Sequence, residues 1–345
     1  MSIYEVPAGR RYWVVRAESG KFYDHFIQNG VIALGHLNCL NVAEQDTYIP
    51  DLAELSERFH NYHLSKNNKR QRASVHLAQL KSFIYDMKVG DWVLTVGRSG
   101  VRYGRVLGKP YVKKGIVRVT YDEETNNYVD MDYNLRREVQ WGPLVKRKLL
   151  PYGLVQSLKA NQTVFCLDKN WQAVYHSIYP AFKFENQLYL SANIRTQKDI
   201  KNYSVTSFFK LLNEVEVIGK EFSERQEISN FEQVFDSYLS QDNLTITTKA
   251  QFHSPGEIWN TIQSFVGPES LDTWQTYTVL AYGMIFGNQK LGFDGIIDLE
   301  TRKKLWDLVI ERMKVNKVEE SLKSLDLELP DADTSKLEDS SNDKV

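Results

Sequence analysis

Two rhythms of apolar positions run through the front half of the chain. Runs of β-branched and aromatic residues at 11–16 and 30–35 predict strands, the second apolar on both faces as a buried strand must be. Elsewhere the period lengthens to three and four. Phe22, Tyr23, Phe26 and Ile27 cluster on one side of a short helix over 21–28. Leu52, Leu55, Phe59 and Tyr62 mark a helix over 49–63, and Leu77, Leu80, Phe83 and Ile84 another over 73–87. The Lys/Asn-rich run 65–71 interrupts the pattern and predicts an exposed loop. Gly90-Asp91 turns the chain into a strand over 92–96, and Gly97-Arg98-Ser99-Gly100 closes a hairpin onto 101–107. Further strands are predicted at 117–121, 128–141 and 162–167. This order describes a small β-barrel with helices packed on it.

The back half is mixed. Strands are predicted at 188–192 and 244–252, and helices at 205–217 and 227–239. Ser254-Pro255-Gly256-Glu257 combines a capping serine, a proline suited to the first helical position and a glutamate for a capping box, so a helix is expected to start there. A single long helix is expected over 301–325, with Leu305, Trp306, Val309, Ile310 and Met313 as its apolar stripe. From Pro330 onward the chain is rich in Asp, Ser and Lys and is predicted to be disordered. The fold class is α+β, divided into a barrel domain over 1–168, an α+β domain over 169–328 and a tail over 329–345.

Composition adds a charge asymmetry. The 345 residues are 42% hydrophobic and 25% charged, which gives room for two cored domains. The net charge of −1 conceals 24 basic against 16 acidic residues over 1–165, and 19 against 28 in the remainder. A basic front suits a polyanion, and an acidic back a different partner. Cys39 and Cys166 carry no pairing motif and fit a reducing cytosol, with Cys166 read as a small buried residue. The start of the chain lacks a signal pattern, and the apolar stretch within 273–289 is too short to span a bilayer. A cytoplasmic protein with no membrane partner is expected.

The ordered series Tyr12-Trp13-Val14-Val15-Arg16-Ala17-Glu18, Phe26, Gly30-Val31-Ile32-Ala33-Leu34-Gly35, Met87-Lys88-Val89-Gly90-Asp91-Trp92-Val93-Leu94-Thr95, Tyr103-Gly104-Arg105-Val106 and Gln162-Thr163-Val164-Phe165 resembles the EVE-like domain of the PUA superfamily. That domain stands at the N-terminus of many Mrr-type and related bacterial restriction proteins. The resemblance covers about residues 10–168 and implies a barrel with a pocket for a flipped, modified base. Carried onto this chain, it places the pocket walls at Arg16 and Glu18, at His36, at Ser74 and Gln79 on the helix before the hairpin, and at Thr95 and Tyr103. Where many relatives have Trp after the second strand, this chain has His36.

Base recognition needs a planar face and fixed partners for the base edge. His36 and Tyr103 are the stacking candidates; Arg16, Glu18, Ser74 and Gln79 are the edge-reading candidates. Stacking contributes about 1–3 kcal/mol per base, which roughly offsets unstacking, so phosphate contacts must supply the remainder. Lys69, Arg70 and Arg72 on the polar run, Arg98 and Arg102 on the hairpin, and Lys113-Lys114 are the candidates for those. Trp13 and Trp92 are expected in the core, and the hairpin glycines serve turns rather than a phosphate loop. His60 and His63 lack further ligands at metal spacing, so no metal or other cofactor is expected. No catalytic residue is assigned. Asp294, Asp298 and Glu300 with Lys303 and Lys304 faintly resemble the acidic end of a nuclease site, but they read more simply as a turn into a helix N-terminus.

The leading reading is recognition of modified nucleic acid, DNA ahead of RNA, in bacterial antiphage defence, with the C-terminal domain contacting an effector protein. The alternatives are a self-contained modification-dependent restriction nuclease and a scaffold that binds no nucleic acid.

Overall fold

Strands buried on both faces need cover on both sides, and in this protein a strongly curled sheet supplies much of it. A computed structural model describes residues 3–66, 70–122, 127–225, 228–252, 256–263, 273–287 and 299–338, the side chains of 70, 120–122, 127, 128 and 299 excepted. The chain divides into two compact units. One is Gly9–Trp171 with Ala332–Val345; the other is Gln172–Asp331 with Met1–Ala8. The short strand β1 (Tyr4–Glu5) therefore belongs to the second unit.

The first unit runs β2 (Tyr12–Val15), α1 (Tyr23–Gln28), β3 (Val31–Leu34), α2 (Leu52–Ser65), α3 (Arg70–Lys81), β4 (Trp92–Val96), β5 (Gly100–Val106), β6 (Tyr111–Val112), β7 (Val117–Asp122), β8 (Asn127–Met131), β9 (Leu135–Lys146), α4 (Tyr152–Ser157) and β10 (Val164–Cys166). Its main sheet has the order β10-β2-β4-β5-β9-β3, with β6 beside β9, and curls into a half-barrel. β2 and β4 are parallel, and the other pairs antiparallel. β9 closes the curl because its first residues pair with β3 and β6 and its later ones with β5. β5 bulges between Arg102 and Gly104, where a side chain on Gly104 would collide with Val139 and Trp141. Trp13, Phe26, Ile32, Phe59, Leu80, Phe83 and Val93 fill the interior, as expected of Trp13, and Trp92 is fully buried too.

The Gly90-Asp91 turn carries more than direction. The buried Asp91 carboxylate accepts from Trp13 Nε1 and Lys88 N, both at 2.9 Å, and from Arg11 N at 3.3 Å. One side chain thus ties the start of β2 to the turn before β4.

The second unit continues with α5 (Trp171–His176), whose first residue belongs to the first unit, then β11 (Ala181–Phe184), β12 (Gln187–Ile194), α6 (Asn202–Arg225), α7 (Phe231–Ser240), β13 (Thr247–Gln251), β14 (Gly256–Gln263), α8 (Thr273–Ile285), α9 (Leu299–Val315), α10 (Val318–Leu325) and β15 (Leu327–Glu328). Its sheet has the order β1-β11-β12-β14-β13, with β15 on β12. Helix α8 is buried nearly all round, which explains its apolar composition. Gly219 lets α6 approach it closely, since a Cβ there would strike Thr278. Among the described residues no helix is long and apolar enough to cross a membrane. Arg312 of α9 donates to Glu214 Oε2 at 3.0 Å, Glu214 Oε1 at 2.9 Å and Glu232 at 2.9 Å, and Asn316 adds a bond to Glu214, so both buried charges are paired.

Several expectations change. Of the helix start expected over 254–257, residues 254 and 255 lie outside the described residues, and Gly256–Gln263 is a strand whose Ile258, Asn260 and Ile262 alternate inward between two neighbours. The helix expected over 301–325 is broken at Lys317, which adopts a left-handed conformation (φ 51°), and Trp306 points out of the core. Helix α3 begins at Arg70, inside the expected loop, and gives way to a π-helical turn over Ser82–Asp86. Residues 331–338, expected to be disordered, have a defined path, with Leu337 buried against Gly142. Cys166 is exposed rather than buried.

Candidate nucleic-acid interface

His36 enters the 3-10 turn that follows β3, and α3 packs over that turn. From α3, the buried Gln79 aims its side-chain oxygen at β10, accepting from Thr163 N at 3.1 Å and Val164 N at 3.2 Å. Two N–H donors fix that atom as the oxygen. His36 Nε2, 3.2 Å from the same atom, must therefore carry a proton and donate. Gln79 thereby orients the ring of His36 while clamping β10 to α3.

The His36 ring stacks on His76 of α3, with centroids 4.2 Å apart and planes at 22°. His63 of α2 meets the edge of that stack at 6.2 Å. Burial, then the neighbouring His76, lowers the His36 pKa to about 4, against the support of its bond to Gln79. Burial, then Arg72 and His63, lowers that of His76. His36 is thus neutral at pH 7, beside the guanidinium of the exposed Arg72 one helical turn before His76. The site holds planar faces, a histidine ring oriented by its Nε2–H bond to Gln79, and an adjacent cation.

Of the pocket residues expected from the sequence, His36 and Gln79 meet here, and Arg72 flanks them. Ser74 lies on α3, exposed. Arg16 is turned away, donating to the Leu158 carbonyl and lying 5.9 Å over the Phe165 ring; burial lowers its pKa. Glu18 is exposed in a left-handed conformation and accepts from Tyr133 OH at 3.1 Å. The Tyr133 ring covers Gly35 so closely that a Cβ there would overlap it. Thr95 and Tyr103 require correction: both are fully buried, so Tyr103 presents no ring face to a base. Tyr103 pairs with Leu94 and Thr95 with Arg102, so the two side chains lie on opposite faces of the sheet, and both faces are covered at this point.

The phosphate candidates divide in the same way. Arg98 is exposed at the hairpin turn. Arg102 is committed to the fold, donating to Gly142 O at 2.9 Å and Tyr23 OH at 3.4 Å. Lys69 lies outside the described residues, as does the side chain of Arg70. Lys113 is exposed, and Lys114 donates to Asn41 at 3.0 Å.

Sequence reading did not single out His76, and weighed His63 only as a metal ligand. The signal was helical spacing: His76 stands four residues after Arg72 and three before Gln79, on one helix face. Among the described residues no group of three or more His, Cys, Asp or Glu is placed to hold a metal ion. Asp294 and Asp298 of the considered nuclease cluster lie outside the described residues, and Glu300 pairs with Lys304 at 3.1 Å on the first turns of α9. No family model matches this chain, and neither curated proteins nor solved structures contain a significant match to it.

Proposed function

We propose that the unit Gly9–Trp171 is a nucleic-acid recognition module of the EVE-like (PUA superfamily) kind, and that it binds along the α3 rim. The reading rests on one observation: the neutral His36–His76 stack, held by Gln79, stands beside the exposed Arg72. A base packs on an aromatic face regardless of sequence, while the cation takes the adjoining phosphate. The basic excess of the front half favours the same polyanion. The burial of Tyr103 moves the contact from the barrel interior to its rim. The ligand proposed is DNA carrying a modified base, met in antiphage defence in the cytoplasm, and the acidic second unit engages an effector protein.

Fluorescence anisotropy with single-stranded and duplex DNA, plain or methylated, tests this. Two or three phosphate contacts predict a roughly tenfold to fiftyfold loss of affinity between about 50 and 200 mM salt. His76→Ala is expected to weaken binding about tenfold, the scale of one base stack. Arg72→Ala is expected to weaken all sequences alike and to flatten the salt dependence. Absence of binding at low salt, or affinity unchanged in both variants, overturns the proposal.

A further inference from the structure

The second unit carries a polar cleft of its own. It lies between the last turns of α6 and the C-terminal end of α7, has a volume of about 490 Å³, and is lined by Lys220, Glu221, Glu224, Arg225, Tyr238 and Asp242 among others. That volume falls within the range of small-molecule sites.

The charges in the cleft are not equivalent. Lys220 is already satisfied: it donates to the buried Glu216 at 2.7 Å and to Asn243 O at 2.7 Å, and sits over the rings of Tyr238 and Trp274. Glu216 in turn holds the Thr245–Ile246 backbone, so this pair belongs to the fold. Glu221 is only half satisfied. Its Oε1 accepts from Tyr238 OH at 2.9 Å, which fixes the carboxylate plane. Its Oε2, on a residue only 4% exposed, accepts no hydrogen bond from any of the described residues. A buried carboxylate oxygen left without a donor is costly and is rarely kept unless something fills the place. The nearest cation is Arg225, one turn along the same helix, whose Nε is 3.4 Å away without hydrogen-bond geometry. The Arg225 side chain is 62% exposed, so water screens this pair and little holds the guanidinium in place.

We propose that this cleft binds a small organic cation, a molecule bearing an amine or guanidinium group, which displaces Arg225 from Glu221 Oε2. Glu221 is the counter-ion and supplies the open acceptor, Tyr238 sets its orientation, and Glu224 and Asp242 add negative charge around a ligand with a second amine. Arg225 acts as a weak internal occupant, so the site is in competition with its own side chain. This inference concerns the second unit and does not depend on DNA binding by the first.

The test is titration calorimetry on the full chain with agmatine and putrescine as probes, glycerol as a neutral polyol and malonate as an anion. Saturable binding is expected for the amines and not for glycerol or malonate. Glu221→Gln keeps the shape and removes the charge, and is expected to weaken agmatine about tenfold, as loss of a charge-assisted bond should. Arg225→Ala, an exposed change that leaves the fold intact, is expected to tighten agmatine by removing its competitor. If Glu221→Gln fails to fold, Arg225→Ala decides alone. The proposal is overturned by no amine binding, by glycerol or malonate binding as well as agmatine, by unchanged affinity in folded Glu221→Gln, or by Arg225→Ala binding no tighter than the parent.

Discussion

Neutral histidines make the protein sensitive to acid through identifiable side chains. His36 is held down to about 4, and burial lowers His76 as well. In the second unit the fully buried His176 is pushed far lower by burial; its Nδ1 lies 2.7 Å from Ser191 Oγ and its ring stacks on Trp259 at 4.3 Å. The unfolded chain takes up protons on these rings near their ordinary value of 6.5, whereas in the folded chain each ring resists to lower pH, His36 and His176 until well below it. Stability is therefore complete above about pH 6.5 and falls as the pH drops; the His36 part of that loss ends near pH 4. After discounting for its partial exposure, His36 accounts for roughly 2 kcal/mol of this loss. The Cε1–H resonance of His36 should titrate near pH 4, and His36→Phe, which keeps a ring on His76, should lessen the loss of urea resistance between pH 7 and pH 4.5. A resonance moving near pH 6.5 refutes the argument. At this scale the sequence was legible where a side chain sits at an element end, as His36 does. It was not where burial depends on what covers a strand's second face, as with Tyr103.

The elements were legible where one periodicity ran unopposed, and misread where a distant side chain intervened. The apolar stripe of Leu80, Phe83 and Ile84 is buried as the spacing predicts, yet the α-helical turn ends at Lys81. Past that point Met87 N bonds to Ser82 O at 2.9 Å, and the carbonyls of Phe83, Ile84 and Met87 are taken by Arg137 from β9, at 2.9, 3.2 and 2.7 Å. Arg137 is buried and gives its remaining contact to Gly108 O; burial pulls its pKa down to about 10. An arginine in an apolar strand looks like a surface residue in one dimension, and only the register of β9 brings it to the helix end. Similarly, Glu257, expected to complete a helix cap, instead lies in β14 with cross-strand partners on both sides, and Lys317 breaks the last helix while Asn316 bonds to Glu214. Arg137→Met is expected to destabilise the first unit by roughly 3 kcal/mol or more, because it strands buried carbonyls. The exposed Arg98→Ala should change stability by less than about 0.5 kcal/mol. Guanidinium denaturation compares the two; equal midpoints would mean that the carbonyls find other donors.

On the scale of the whole molecule, each compact unit includes one chain terminus from the far end of the sequence. β1 adds in parallel to the edge of β11, with Tyr4 opposite Phe182 and Glu5 opposite Lys183, and Val6 N extends the pairing to Lys183 O at 2.8 Å. The Tyr4 ring stacks on Tyr179 at 4.5 Å and leans on Tyr175 at 5.7 Å, and Val6 is buried. A two-residue strand has too short a pattern to be read locally, and the sheet it joins is set by chain folded more than a hundred residues later, so residues 1–8 by themselves do not announce this pairing. Removing residues 1–8 uncovers the backbone of β11 and the face of two tyrosines, leaving an open sheet edge. The expected cost is about 2–4 kcal/mol of stability in the second unit, the scale of burying two large side chains together with their ladder bonds. The measurement is hydrogen exchange by mass spectrometry on the truncated chain. Protection should fall in 181–194 while 12–15 and 92–106 keep theirs, and DNA affinity should stay within about twofold if the first unit alone carries it. Loss of protection spread evenly over both units would instead mean that the terminal strand supports the entire molecule, and unchanged protection in 181–194 that β1 contributes nothing to the sheet it completes.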